Sequence, residues 1–202
     1  MAIDPERRLL LAEGDLPGLV AMGLRAARPE LARQTLVALP ESEPGVAEVL
    51  RRQADRLGLE TVASAATTGS QGLAGSLGLM TAAVEATLHG CGGLIWSAQA
   101  GLAEPAEHVD DIAGVLDRAL LVSRLVALDS EAAGLTRPEF PVETPLADLS
   151  DRQVADLAVD LELPIETCPW WVDRRSGGHA AAARWMRALR AAGWAGLAEA
   201  AS

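Results

Sequence analysis

Glu13 and Asp15 flank Gly14 in the segment Ala12-Glu13-Gly14-Asp15-Leu16-Pro17, and no other pair in the chain is better placed to do chemistry. Two carboxylates so close on a short loop could hold a divalent cation or divide acid and base roles between them. The competing reading is a pair of solvated loop carboxylates, favoured by the positive end of the helix that follows. Ser97 and Gln99 offer a hydroxyl and an amide that could hydrogen-bond a planar, base-like ligand; the plainer reading makes them a strand-end turn. Cys168 and His179 are of metal-ligand type, with Glu166 and Asp173 as the acidic residues near them. Structural zinc takes four protein ligands, so the competing reading is a buried thiol and a surface histidine near a helix start.

Trp170, Trp171, Trp185 and Trp194 crowd four of the five tryptophans into the last part of the chain. Tryptophan is enriched at interface hot spots, so Trp170, Trp171 and Trp185 form a candidate partner surface together with Arg174 and Arg175. Filling of core volume is the equal alternative. Arg184, Arg187 and Arg190 are spaced one turn apart, giving a locally basic helix face that is either solvated or docks an acidic partner.

Composition narrows the chemistry. The chain has 202 residues and a net charge of −11, which opposes general affinity for nucleic acid. All 17 cationic residues are arginine, and neither lysine nor tyrosine occurs. A Schiff-base lysine, a phosphate-clamping lysine and a tyrosine general acid are therefore excluded. The two cysteines, Cys91 and Cys168, rule out a C-x-x-C redox motif; Cys91, set among glycines, reads as an inert turn residue. The N-terminal sequence lacks a signal-peptide pattern and the apolar runs stop short of a membrane span, so a soluble cytoplasmic protein without membrane contact is expected.

Short apolar runs alternating with longer helix-like segments predict a parallel α/β sheet in one domain over residues 1–202. Strands are expected at residues 8–12, 35–39, 60–63, 93–97 and 140–143. Helices are expected at 17–27 and 43–57, with Val46, Val49, Leu50 and Leu57 on one face of the second. A Gly/Ser/Thr-rich loop is expected at 67–76, then a helix at 77–89 that is apolar almost all round and reads as buried. A helix at 109–128 carries a stripe of Ile112, Val115, Leu116, Ala119, Val122 and Val126. Ser150 and Gln153 form a capping box for a helix ending near Leu161, and a last helix spans 179–192 before Gly193.

Three segments carry a family resemblance: Pro145-Leu146-Ala147-Asp148-Leu149-Ser150, Leu163-Pro164-Ile165-Glu166-Thr167-Cys168, and Ser176-Gly177-Gly178-His179-Ala180-Ala181-Ala182. Together they resemble the C-terminal third of the 7-cyano-7-deazaguanine synthase (ExsB-like) family, of the PP-loop nucleotide-dependent superfamily. The resemblance implies a doubly wound, Rossmann-like five-stranded sheet in the order 3-2-1-4-5. It also implies a ligand crevice between the first and fourth strands, where strand order reverses. Glu13, Gly14, Asp15, Ser97 and Gln99 would then line it.

ATP and zinc are the family's cofactors, and the motifs for both are altered here. The family's S-G-G-x-D-S phosphate loop falls on Ala12–Pro17, where Leu16 and Pro17 replace the motif's Asp and Ser. The P-G-R-N-like loop falls on Thr67-Thr68-Gly69-Ser70-Gln71-Gly72, without arginine, and the I-G-x-N-x-E-D element retains only the amide of Gln99. Of four zinc cysteines only Cys168 remains, the others falling on Ser176, His179 and Ala182. Residues 167–202 would then be a helical segment standing where zinc was bound, with Trp170, Trp171 and Trp185 taking the metal's packing role.

Neither cofactor is expected on this reading. The resemblance and these losses imply a non-catalytic relative acting as a binding or scaffolding subunit, paired with itself or with an active paralogue. The alternative is an enzyme of altered chemistry that uses Glu13, Asp15, Ser97 or Gln99 on a nucleoside-like or small carboxylate substrate. ATP-dependent nitrile formation in queuosine or deazapurine biosynthesis is the third reading.

Overall fold

Leu9, Leu10 and Leu11 are all buried, although successive side chains of a strand point to opposite faces of a sheet. Such a strand needs cover on both sides, and the computed structural model supplies it. The structure describes residues 3–66, 72–100, 109–132, 139–172, 180–194 and 196. Strand β1 (Asp4–Leu11) leads through α1 (Leu16–Ala26) and α2 (Pro29–Arg33) to β2 (Thr35–Pro40). Helix α3 (Pro44–Leu57) leads to β3 (Glu60–Ser64), and α4 (Gly72–Leu88) to β4 (Cys91–Trp96). Helix α5 (Val109–Ala132) precedes β5 (Val142–Glu143) and α6 (Asp151–Asp160). A 3-10 turn at Ile165–Thr167, α7 (Pro169–Val172) and α8 (Ala180–Ala191) complete the chain.

All pairings are parallel, as the α/β reading expected, and the strand order is β3-β2-β1-β4-β5, the order the resemblance implied. One face of the sheet, through Leu10, Val37 and Ile95, packs on α1, α3, α6 and α8. The other, through Leu9, Leu11, Leu36, Leu94 and Trp96, packs on α4 and α5.

Several boundaries differ from the sequence reading for identifiable reasons. β1 begins at Asp4 because Asp4 pairs with Cys91 ahead of a register shift that ends at Arg8 and Gly93. Cys91 is thereby the buried first residue of β4 and not a turn residue. Residues 72–76, expected as loop, are the first turns of α4, while 67–71 lie outside the described residues. Helix α4 is buried on one side only, since Leu77, Val84 and Leu88 face outward. On α5, Val115, Ala119, Val122 and Val126 are buried as the stripe required, but Leu116 is 48 % exposed. The Ser150–Gln153 capping box forms as read.

Gly92 marks the tightest approach in the sheet. A Cβ there would fall on the Pro5 carbonyl, because three residues of β1 crowd against this one position of β4. Backbone cannot yield as a flexible side chain would, so G92A should cost about 2–3 kcal/mol by overpacking. Urea unfolding at constant m-value tests this; a variant as stable as the parent would show that the strands part easily there.

Candidate functional site

The carboxyl ends of β1 and β4 meet where strand order reverses, which is the ligand-binding position of an open parallel sheet. Gly14 makes the turn from β1 into α1 with φ +77°, a conformation open to glycine and strained for other residues. Asp15 then caps α1: its Oδ1 accepts from the Gly18 N–H at 3.0 Å, and its carbonyl accepts from the Leu19 N–H at 3.0 Å. Leu16 is buried beneath the turn, and Pro17 occupies the first turn without an N–H to offer. The helix end that could bind an anion is thus filled by the chain's own carboxyl group. Glu13 is half-buried and also engaged in an interaction, so the expectation of solvated loop carboxylates gives way to a structured turn.

Across the switch point, the Ser97 hydroxyl and backbone N–H both donate to the Leu11 carbonyl, at 3.1 and 3.2 Å. Gln99 lies in a polar cluster. Its Nε2 donates to the Leu149 carbonyl at 3.0 Å and to Asp151 Oδ1 at 3.1 Å, while its Oε1 accepts from Arg184 Nη2 at 2.8 Å. Arg184 grips Asp151 at two points, Nε to Oδ2 at 2.8 Å and Nη2 to Oδ1 at 2.6 Å. Its guanidinium also stacks 4.3 Å from the Trp185 ring centroid. Three chain segments (the loop after β4, the first residue of α6, and α8) are pinned together by this two-pronged pair, the strongest class of side-chain hydrogen bond. Arg184 therefore belongs to the site, whereas Arg187 and Arg190 on the same helix are exposed.

Beneath the Gly14 turn, Gln53 is wholly buried on α3 and donates from Nε2 to the Gly14 carbonyl at 3.1 Å. The same nitrogen reaches Cys168 Sγ at 3.8 Å. Burial pushes the Cys168 thiol far above its ordinary pKa, with Asp15 and Glu166 adding to the effect and the Trp170 indole opposing it. Zinc takes thiolate, so this single protonated thiol has the character of an inert core residue. Among the described residues, no three His, Cys, Asp or Glu side chains gather closely enough to hold a metal ion. His179, Asp173, Arg174 and Arg175 lie outside the described residues.

Trp170, Trp171 and Trp185 are buried in the core cluster that also holds Cys168. Trp171 meets Trp170 and Trp194 edge-to-face, with centroids 6.3 and 4.8 Å apart. Two clefts lie away from the switch point. One, of about 510 Å³, is lined by Pro40, Glu41, Glu48 and Arg51 beyond β2 and β3. The other, of about 350 Å³, is lined by Glu6, Arg8, Arg25 and Gln34 at the opposite end of the sheet. Among the described residues no helix is long and apolar enough to cross a membrane.

Arg184 thus hydrogen-bonds Gln99 and lies near enough for its charge to act on Asp15, while Ser97 serves as a strand clasp. Gln53, Asp151 and the site role of Arg184 are additions. Gln53 was within reach of sequence reading, because it lies on the stripe of Val46, Val49, Leu50 and Leu57, and an amide on a buried stripe needs a partner. No protein-family model matches the chain, and the search of curated proteins finds no match.

Burial raises the Asp15 pKa above its ordinary value, against the opposing pull of the Gly18 N–H and Arg184. A raised folded-state pKa means the native state binds the extra proton, so this contribution to stability is full in acid and lost as pH rises through the folded pKa. D15N keeps an N-cap but cannot ionise. Relative to the parent, it should gain stability as pH rises from about 4 to 7. Thermal melts across that range check the sign; a constant offset would refute it.

R184A and D151A should each destabilise the fold, and the double variant should lose less than their sum. A coupling of about 1 kcal/mol is expected from a double-mutant cycle, because the pair is well formed but partly open to water. Strict additivity would mean that the pair does not pin α8.

Proposed function

We propose that the chain is a non-catalytic relative of the 7-cyano-7-deazaguanine synthases, a cytoplasmic binding or scaffolding subunit that uses neither ATP nor zinc. The observation that carries this reading is the self-capped end of α1, where Asp15 takes the Gly18 N–H that a phosphate loop would offer its ligand. A negative polyphosphate would have to displace a carboxyl group and would find Pro17 in place of a donor. Across the crevice, Gln99 and Arg184 spend their hydrogen bonds on Asp151 and Leu149. The isolated, protonated Cys168 fits the same picture. The sheet order is compatible with the family but shared by many folds, so it carries no weight on function.

One observation favours the reading in which the crevice carries altered chemistry: burial at the end of β1 raises the pKa of Asp15, although the Gly18 N–H and Arg184 pull it down. Titration calorimetry on the full chain separates the two. ATP with magnesium should give no binding heat, and micromolar affinity would overturn the non-catalytic proposal. Sustained heat of reaction with a nucleoside or small carboxylate, abolished by both D15N and R184A, would establish the altered enzyme instead.

A further inference from the structure

Nine large apolar side chains are exposed among the described residues, and all nine lie on α4 and α5: Leu77, Val84 and Leu88 on the first, Val109, Leu116, Leu120, Leu121, Leu125 and Leu128 on the second. The two helices pack against each other on one face of the sheet, so these residues share one side of the molecule. Each is between 46 % and 67 % exposed. Together they present roughly 800 Å² of apolar surface, more than a monomer ordinarily leaves in water and about what one partner contributes to a standard interface. Helix α4 is the clearer sign, since its outward residues are as apolar as its buried ones, a pattern proper to a helix covered on both sides.

We propose that this face buries against a second copy of the chain, with α5 crossing its mate antiparallel about a two-fold axis between Leu120 and Leu121. The charges at the centre of α5 fit this occupant. In an isologous antiparallel pair, residues equidistant from the axis face each other. That operation sets Asp117 opposite the partner's Arg124, Leu116 opposite the partner's Leu125, and Leu120 opposite the partner's Leu121. Asp117 and Arg124 are both exposed, and neither forms an ion pair among the described residues. At the centre of the seam leucine thus meets leucine and Asp117 meets Arg124, twice over, and the same register sets Asp110 opposite the partner's Glu131 at the ends of α5. A copy carrying a net charge of −11 would be repelled by another at random orientations, so matched charges within the patch fix the register. At 24 residues α5 is about 36 Å long, enough to hold all these pairs in one seam.

Sedimentation equilibrium of the full chain tests the proposal, with circular dichroism melts confirming that each variant folds. The parent should be a dimer. L120E, with a charge at the two-fold axis, should raise the dissociation constant by about 30-fold or more. D117R should weaken the dimer, and D117R combined with R124D should restore it, because the swapped pair is again complementary. A parent that stays monomeric up to about 1 mM, whether or not it binds phospholipid vesicles, overturns the proposal. So does a dimer indifferent to L120E, or one that the charge swap fails to rescue. None of these outcomes depends on whether the crevice binds nucleotide.

Discussion

A parallel sheet with no polar side must be covered twice, and the two coverings here are unequal. Leu10, Val37 and Ile95 face α1 and α3, which are in turn braced by α6 and α8. Leu9, Leu11, Leu94 and Trp96 face α4 and α5. The first group of helices has polar outer sides. On α3, for example, Glu48, Arg51 and Arg52 face water while Leu50, Gln53 and Ala54 are buried. The second pair carries all the exposed large apolar side chains among the described residues, interspersed on α5 with charged ones, so part of the hydrophobic driving force that built the core is unspent on that face.

The same inequality explains the state of the switch point. Helices α6 and α8 belong to the better-covered face, and their N-terminal and middle residues, Asp151 and Arg184, reach over the sheet end to Gln99. The loops after β4 and β5 are also joined by backbone, with the Ala100 N–H donating to the Ala147 carbonyl at 3.1 Å. Asp15, Ser97, Gln99, Asp151 and Arg184 at this end of β1 and β4 all have partners within the chain, while the buried Oε1 of Gln53 beneath the Gly14 turn has none. The same bonds that stabilise the C-terminal helices therefore occupy the groups a ligand would have used.

How much of this was legible in the sequence follows from the range of each interaction. The strands are visible because burial on both faces makes them uninterrupted apolar runs, as in RLLL and TLVAL. The α6 start is visible because a capping box is a contact between residues three apart. The extension of β1 to Asp4 is hidden, since it depends on a bulge against Gly92 some ninety residues away. For the site, Asp15 and Gln99 are visible as residue types at strand ends, but Arg184 is 85 residues from Gln99 and looks like any arginine on a helix surface. Helix α4 misleads for a physical reason: an all-round apolar sequence states that both sides need cover, and does not state that the same chain provides it.

Asp15 shows which force prevails at the candidate site. A carboxylate at a helix N-terminus is ordinarily stabilised by the dipole and by the N–H it accepts, both of which lower its pKa. Those terms act here, and so does the charge of Arg184, yet the net shift is upward because burial outweighs them. The turn is therefore dry enough that one negative charge is already costly. A triphosphate brings several, and such ligands are held by clustered cations, metal ions and free backbone donors. The cation that acts on Asp15 is Arg184, already gripped at two points by Asp151, and the Gly18 N–H is taken. A ligand at this end of the sheet would therefore meet a carboxyl group and an amide, both already hydrogen-bonded within the chain, in place of a phosphate cradle.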